Sequence, residues 1–216
     1  FFTTSKTANE NLIKNGVCKE NIFFVGNTMI DTLLKNISNF KEPEIWRVLG
    51  LKKKEYFVIT LHRPANVDEG LNLKNVIKEI VDNTRELNII FPMHPRTKKV
   101  FNKLKINHPR LHIISPLSYL EFNFLVKYSK AVITDSGGIT EETTVLGIPC
   151  ITLRDNTERP ETVVQGTNEL IGTNPIAISP ILRKLFQGNW KKGSVPKYWD
   201  GKTSERIVKH LLKLNM

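Results

Sequence analysis

The sequence predicts an α/β fold in which a parallel β-sheet is flanked by helices. Short runs rich in Val, Ile and Phe alternate along the chain with longer segments whose apolar residues recur at helical spacing. The short runs are almost continuously apolar, which is typical of parallel strands buried on both faces. The chain has 216 residues, 40% hydrophobic and 25% charged, which is enough for one large domain or one and a half.

The first fifty residues are predicted to form short elements. A strand end leads into a helix that Thr4 or Ser5 can cap and Gly16 can end, with Ile13 among the residues facing inward. The next apolar run is too short for a helix, whereas the two segments after it have helical spacing. The expected elements are a strand end and helix within 1–16, a buried strand at 22–25, a helix at 27–37 and a short helix within 41–50.

From residue 56 onward, strands and helices are predicted to alternate regularly. The expected strands are 56–61, 88–92, 111–114, the apolar run from 131, 149–153 and about 169–172. The expected helices are 71–81, one through 100–104, 119–128, one that starts at a glycine pair, 176–186 and 200–214. A long polar loop is expected at 154–166, where Pro160 could begin a helix, and an irregular linker at 188–196.

The most informative stretch is 131–147, AVITDSGGITEETTVLG. An apolar strand ends at Asp135, and the glycine pair Gly137 and Gly138 opens a helix. Its apolar side is formed by Ile139, Val145 and Leu146. Such a turn presents backbone N–H groups at the positive end of a helix, where a phosphate or diphosphate can bind. Glu142, one turn into the helix, could then accept hydrogen bonds from sugar hydroxyls. The motif alone fits equally well with two glycines that only make a tight turn.

Polar residues follow five of the predicted strands. Ligands of parallel α/β sheets bind beyond the carboxyl ends of the strands. This distribution therefore favours a diphosphate site over a simple turn at the glycine pair. The residues are His62 and Arg63, His94 and Arg96, the segment 117–122, the segment 136–142 and the segment 155–161.

Several of these residues also have an ordinary structural interpretation. His62 could transfer a proton or hold a phosphate, and Arg63 could pair with a phosphate through two hydrogen bonds; their position after a buried strand favours both roles. His94 could equally lie in a surface loop. Phe122 could pack against a planar base, but a Phe on an amphipathic helix usually belongs to the core. Arg159, in a charge run that follows a strand, is predicted to contact the diphosphate.

The composition argues against several classes of function. The formal net charge is +11, but the lysines are scattered and no aromatic residues interleave with them, so nucleic-acid binding is not favoured. No apolar run reaches the roughly 20 residues of a membrane span, and no signal peptide is visible. Cys18 and Cys150 lie far apart without metal-ligand spacing, which indicates a reduced, cytoplasmic protein. No metal, cofactor or serine-nucleophile motif is present.

Six segments resemble the UDP-N-acetylglucosamine 2-epimerase family of the non-hydrolysing type. TDSGGITEE and RDNTERPETV, in this order and spacing, are the most specific. The resemblance implies a Rossmann-like parallel sheet that forms the carboxyl-terminal half of a two-domain glycosyltransferase-B-type fold. The matching segments are GNTMID at 26–31, LHRPAN at 61–66, HPRTKK at 94–99, TDSGGITEE at 134–142, RDNTERPETV at 154–163 and DGKTSERIV at 200–208.

The resemblance implies substrate roles for individual residues. His62 matches an active-site histidine, and Arg159 matches a substrate-binding arginine. Glu142 matches a contact to the ribose. Phe122 matches a residue beside the uracil, which reverses the core interpretation. The diphosphate-binding turn is matched by Ser136, Gly137 and Gly138.

The resemblance also implies a candidate regulatory site. Arg63 and His94 resemble positions that hold a second UDP-N-acetylglucosamine in some bacterial members. Three residues depart from the family pattern and bear on this site or on the uracil contacts. The chain has Ala65 where Glu is common, Thr140 where Gln is usual, and Leu117 where a polar residue is frequent.

The implied activity is that of an isomerase that interconverts UDP-GlcNAc and UDP-ManNAc by eliminating UDP and adding it back, in polysaccharide biosynthesis. The family's acid–base carboxylates come from the amino-terminal domain, so this chain is expected to bind UDP or UDP-GlcNAc but to be inactive alone. A hydrolysing relative and an inert nucleotide-sugar-binding module are the alternatives. A cytoplasmic homodimer without nucleic-acid or membrane partners is expected. The expected organisation is 1–25 as the tail end of the amino-terminal domain, 26–196 as the nucleotide-sugar-binding domain and 197–216 as a closing helix that packs back toward the amino-terminal domain.

Overall fold

The computed structural model of the chain describes residues 1–68 and 70–214, without the side chains of Arg96 and Leu214. The role considered for Arg96 and the last two residues of the predicted closing segment lie outside the described residues. The strands are β1 Phe2–Thr3, β2 Phe23–Phe24, β3 Tyr56–Thr60, β4 Asn88–Pro92, β5 Leu111–Ile114, β6 Ala131–Thr134, β7 Cys150–Thr152 and β8 Asn168–Leu170. The helices are α1 Lys6–Lys14, α2 Thr28–Asn36, α3 Glu44–Val48, α4 Pro64–Val67, α5 Gly70–Asn83, α6 Pro95–Lys103, α7 Tyr119–Tyr128, α8 Gly137–Leu146, α9 Pro160–Val164, α10 Ile178–Phe186 and α11 Thr203–Leu214.

Six strands form one parallel sheet in the order β5-β4-β3-β6-β7-β8. The predicted parallel α/β architecture is therefore confirmed. The strand order reverses between the central strands β3 and β6, and such a reversal is where α/β sheets bind ligands. These two strands end level with each other, because Thr60 pairs with Thr134 and their hydroxyl oxygens lie 2.7 Å apart.

Both faces of this sheet are covered by helices, as the continuous apolar runs predict. Successive residues of β3 enter opposite layers. Phe57 and Ile59 pack with apolar residues of α5, α6 and α10, whereas Tyr56 and Val58 pack with those of α3, α7 and α8. All four side chains are fully buried. Burial on both faces explains why the strand carries no polar alternation.

The first two strands form a separate two-stranded parallel sheet, in which Phe2 pairs with Phe23. The strand expected at 22–25 is present as β2, but the expectation that it is buried is wrong, since both of its residues are half-buried. The ring of Phe23 packs on Phe2 and on His210 of α11, with centroids 5.8 and 4.4 Å away, rather than in the main core. Ile13, expected to face inward, is exposed on α1.

The segment before α11 packs against α2 and the start of the chain. Trp199 is buried with Ile30 and Leu33 of α2, and its indole N–H donates to the carbonyl oxygen of Thr4 at 3.1 Å. Asp31 of α2 accepts hydrogen bonds from the backbone N–H groups at the start of α11. The apolar residues later in α11, among them Val208, Leu211 and Leu212, are exposed.

Two local predictions need correction. The loop predicted at 154–166 contains α9, which Pro160 begins as its first residue. In α8, the expected apolar side is only half-buried, whereas the polar residues from Thr140 to Thr144 are buried. The reason is that α8 contacts α2, α7 and α9 as well as the sheet. None of the helices in the described residues is long and apolar enough to cross a membrane.

Candidate functional site

Asp135 follows β6 directly and is fully buried. Its carboxylate accepts hydrogen bonds from the backbone N–H groups of His62 at 3.0 Å and Arg63 at 2.9 Å, and from the side-chain amide of Asn66 at 3.1 Å. Burial alone would raise the pKa of Asp135, but hydrogen bonds from His62, Arg63 and Asn66 hold it below its usual value. The charged carboxylate thus ties the start of α4 to the end of β6.

His62 is held by the same carboxylate. Its Nδ1 lies 2.9 Å from Oδ1 of Asp135, while about half of the side chain is exposed. The hydrogen bond with Asp135 raises the pKa of His62 against the opposing effects of burial and Arg63. A histidine that is oriented by a carboxylate and favoured in its charged form can neutralise an anion or move a proton.

Gly137 and Gly138 are the first residues of α8, and Ser136 is its N-cap without a capping side-chain bond. Neither glycine has a positive φ. A Cβ at Gly137 or Gly138 would meet its nearest neighbour at 3.6 or 3.8 Å, which is ordinary contact. Neither the backbone nor the packing therefore requires glycine here, so the tight-turn interpretation is not supported. Close approach of a ligand to the first N–H groups of α8 remains as a reason for them.

Two arginines meet one carboxylate beside Gly137. Arg154 is buried, and its two terminal nitrogens each donate to an oxygen of Glu158 at 2.7 Å. Arg63 has Nη2 3.8 Å from the same carboxylate, and its Nε donates to the carbonyl oxygen of Asp135 at 2.9 Å. The sequence predicts no role for Arg154 or Glu158, because a charge run after a strand gives no sign of which member is buried.

Arg159 is the N-cap residue of α9, and its side chain is already paired. Its Nε donates to the carboxylate of Glu141, a buried residue of α8. Burial raises the pKa of Glu141, and the charge and hydrogen bond of Arg159 oppose this rise. Burial likewise raises the pKa of the neighbouring Glu161. Arg159 thus compensates a buried glutamate at the α8–α9 contact.

Glu142 and Phe122 lie where α7 and α8 adjoin. Glu142 is only 5% exposed, and burial raises its pKa against the opposing hydrogen bonds of Tyr119 and Asn123 on α7. Phe122 is half-buried and packs against the core beneath α7. It therefore contributes to the core and also keeps part of its surface exposed.

His94 shares a cavity with His62 rather than with Arg63. The cavity, of about 320 Å³, lies beyond the ends of β3 and β4 and is lined by Thr60, Leu61, His62, Pro92 and His94. The guanidinium of Arg63 lies toward Glu158 instead. Among the described residues, no group of three or more His, Cys, Asp or Glu side chains could hold a metal ion.

Known proteins resemble this chain in both sequence and fold. A family model described as UDP-N-acetylglucosamine 2-epimerase matches residues 1–212. The UDP-N-acetylglucosamine 2-epimerase of Methanocaldococcus jannaschii is 41% identical over 97% of this chain and 60% of its own length. The crystal structure of the M. jannaschii UDP-GlcNAc 2-epimerase with UDP-GlcNAc and UDP is 38% identical, with a TM-score of 0.84 over 99% of this chain and 60% of that one. The Staphylococcus aureus MnaA–UDP structure is 32% identical, with a TM-score of 0.86 over 99% and 59%. The chain thus spans about 60% of the length of these relatives.

Proposed function

Because the chain belongs to the UDP-N-acetylglucosamine 2-epimerase family, we propose that it is the UDP-binding part of such an epimerase. The start of α8 carries the proposal. Its two glycines are required by neither backbone nor packing, and they lie at the switch point of the sheet with His62, Arg63 and Arg154 around them. Backbone N–H groups and positive side chains that converge on one point suit a diphosphate.

The remainder of the nucleotide would extend from this point toward α7. Ser136, Gly137 and Gly138 would donate to the diphosphate, and the ribose hydroxyls would donate to the carboxylate of Glu142. The uracil would pack on the exposed part of Phe122. Arg159 would contact the substrate from α9 while keeping its bond to Glu141.

In the proposed reaction, UDP-GlcNAc and UDP-ManNAc interconvert by elimination and re-addition. The elimination removes the proton on C2 and expels UDP from C1, and re-addition returns UDP to C1 and a proton to the opposite face of C2. The imidazolium of His62 would stabilise the charge that develops on the leaving diphosphate. The groups that move the C2 proton would come from an amino-terminal domain, as the family resemblance implies.

The proposal extends to the organisation of the protein. Residues 26–196 would form the nucleotide-sugar-binding domain, 1–25 the end of the amino-terminal domain, and 197–216 the closing helix that packs toward it. The separate pairing of β1 with β2 and the packing of His210 of α11 on Phe2 and Phe23 support this organisation. We place the protein in the cytoplasm as a homodimer.

Calorimetric titration of the chain with UDP tests the binding site. We expect weak binding of UDP and, in a coupled epimerase assay, no turnover by the chain alone. Glu142→Ala should weaken UDP binding by roughly 1–3 kcal/mol, because the ribose hydroxyls lose a hydrogen-bond acceptor in a buried place. Glu10→Ala, exposed on α1, is the matched control and should leave the affinity unchanged. Unaltered affinity in Glu142→Ala would contradict the placement of the ribose, and turnover by the chain alone would contradict its dependence on another domain.

The affinity for UDP should decrease as the pH rises through the pKa of His62. Asp135 raises this pKa, so the imidazolium persists above the usual value of about 6.5 and loses its charge at higher pH. The raised pKa of His62 also contributes to the free energy of unfolding. This contribution is fully present below about pH 6.5, the pKa of histidine in the unfolded chain, and it is lost as the pH rises through the pKa of His62 in the folded protein. Titrations of UDP between pH 7 and 9 measure the first effect. His62→Asn should remove this pH dependence, and an unchanged dependence in that variant would exclude His62 as its source.

A further inference from the structure

Glu158 occupies the position in front of the first turn of α8. Its Oε2 lies 3.6 Å from the place that a Cβ on Gly137 would take, and Nη1 of Arg154 lies 3.9 Å from the same point. The carboxylate therefore faces the positive end of a helix and two guanidinium groups, those of Arg154 and Arg63. These surroundings suit an anion that can accept two parallel hydrogen bonds from a guanidinium group. A phosphate has two oxygens that can do so, as a carboxylate has.

The ion pair with Glu158 compensates the buried charge of Arg154 when no ligand is bound. Arg154 is only 6% exposed, and a buried guanidinium without a partner would be unfavourable. Asn156 supplies one further acceptor, at 3.2 Å. Hydrogen bonds from Arg154 hold the pKa of Glu158 at about 2, so the carboxylate is charged at neutral pH.

Glu158 itself can leave this position. Its side chain is 59% exposed, and it lies in the irregular segment between β7 and α9. Its side-chain partners are Arg154 and Arg63. Rotation of the side chain would place the carboxylate in water without moving a strand or a helix. Arg159 cannot exchange partners as easily, because its Nε holds the buried Glu141.

We propose that Glu158 is a tethered substitute for the diphosphate, and that an incoming diphosphate displaces it from Arg154 and Arg63. Arg154 is then a direct phosphate partner and the residue that selects diphosphates over neutral ligands. This inference rests on the proposed function, since it concerns the same site. It adds that Glu158 competes with the diphosphate for Arg154 in the free protein. The apparent affinity for UDP is therefore the intrinsic affinity multiplied by the fraction of time that Glu158 leaves Arg154 free.

Calorimetry with UDP and with uridine, on the wild-type chain and on Glu158→Gln, tests this proposal. Loss of the competing charge should raise the affinity for UDP about threefold to tenfold. The affinity for uridine, which has no phosphate, should not change. Glu10→Gln removes the same charge from an exposed position on α1 and controls for the general effect of net charge. Arg154→Lys, which cannot form the two-nitrogen contact, should lower the affinity for UDP about tenfold and leave that for uridine unaltered.

The outcomes separate this inference from the proposed function. If wild type binds UDP but Glu158→Gln binds it with equal or lower affinity, Glu158 is a permanent orienting partner of Arg154 and the inference is wrong, while the UDP site stands. An equal gain for uridine would also overturn it, because displacement concerns the phosphates alone. Thermal melts of each variant identify any loss of affinity that arises from unfolding.

Discussion

Asp135→Ala is expected to lower the free energy of unfolding by about 3–5 kcal/mol and to abolish measurable binding of UDP. The carboxylate is fully buried and accepts from two backbone N–H groups, the Asn66 amide and the His62 ring. Its removal takes the acceptor away from the two backbone N–H groups and from the buried Asn66 amide, and it releases the loop that carries His62 and Arg63 from the end of β6. The effect is large because one carboxylate holds together the ends of β3 and β6, the two strands between which the strand order reverses.

Urea denaturation and calorimetry with UDP measure the two consequences of Asp135→Ala. Asp155→Ala is the matched control, since Asp155 lies after the neighbouring strand but is exposed, and the hydrogen bonds that it accepts from Thr173 are long, at 3.3–3.5 Å. We expect that variant to stay within about 0.5 kcal/mol of wild type. Equal stability of the two variants would show that Asp135 does not organise the site.

Gly26→Ala is the second change with a large expected effect. Gly26 has a φ of +109°, and a Cβ there would lie 2.1 Å from the carbonyl oxygen of Tyr198 and 2.7 Å from Oγ1 of Thr203. Overpacking typically costs about 1–3 kcal/mol, and a side chain in the left-handed region adds about 1–2 kcal/mol. The overlap would push the segment before α11 away from the start of α2, so the cost should approach the sum.

Gly50→Ala separates the backbone cost from the overlap. Gly50 has a φ of +57°, but a Cβ there would meet no atom within 4 Å. Urea denaturation should therefore show a loss of about 1–2 kcal/mol for Gly50→Ala and a clearly larger one for Gly26→Ala. Similar losses would mean that Tyr198 and Thr203 do not pack on Gly26 in solution.

Much of the fold could be predicted from the local pattern of residues. The bounds of β4, β5 and α7 agree with the prediction, since each is a run with one periodicity and clear ends. The two-stranded sheet of β1 and β2 could not be assigned, because short apolar runs do not reveal their partner strand. Helix α8 shows the same limit, since its buried polar side depends on three neighbouring helices.

The candidate site can be predicted from the sequence where it depends on strand ends, but not where it depends on long-range pairing. The glycine pair and His62 are candidates because both follow apolar strands directly. The sequence does not reveal the importance of Asp135, since the donors to its carboxylate lie about seventy residues earlier in the chain. It does not reveal Arg154 either, because the burial of Arg154 is set by the packing around β7.

A crystal structure of the chain with UDP tests the central claim most directly. We predict ordered diphosphate oxygens within hydrogen-bonding distance of the backbone N–H groups of Gly137 and Gly138, with the imidazole of His62 and the guanidinium of Arg154 in contact with them. A structure in which UDP is bound elsewhere, while Glu158 still covers an unoccupied α8 terminus, would contradict the account.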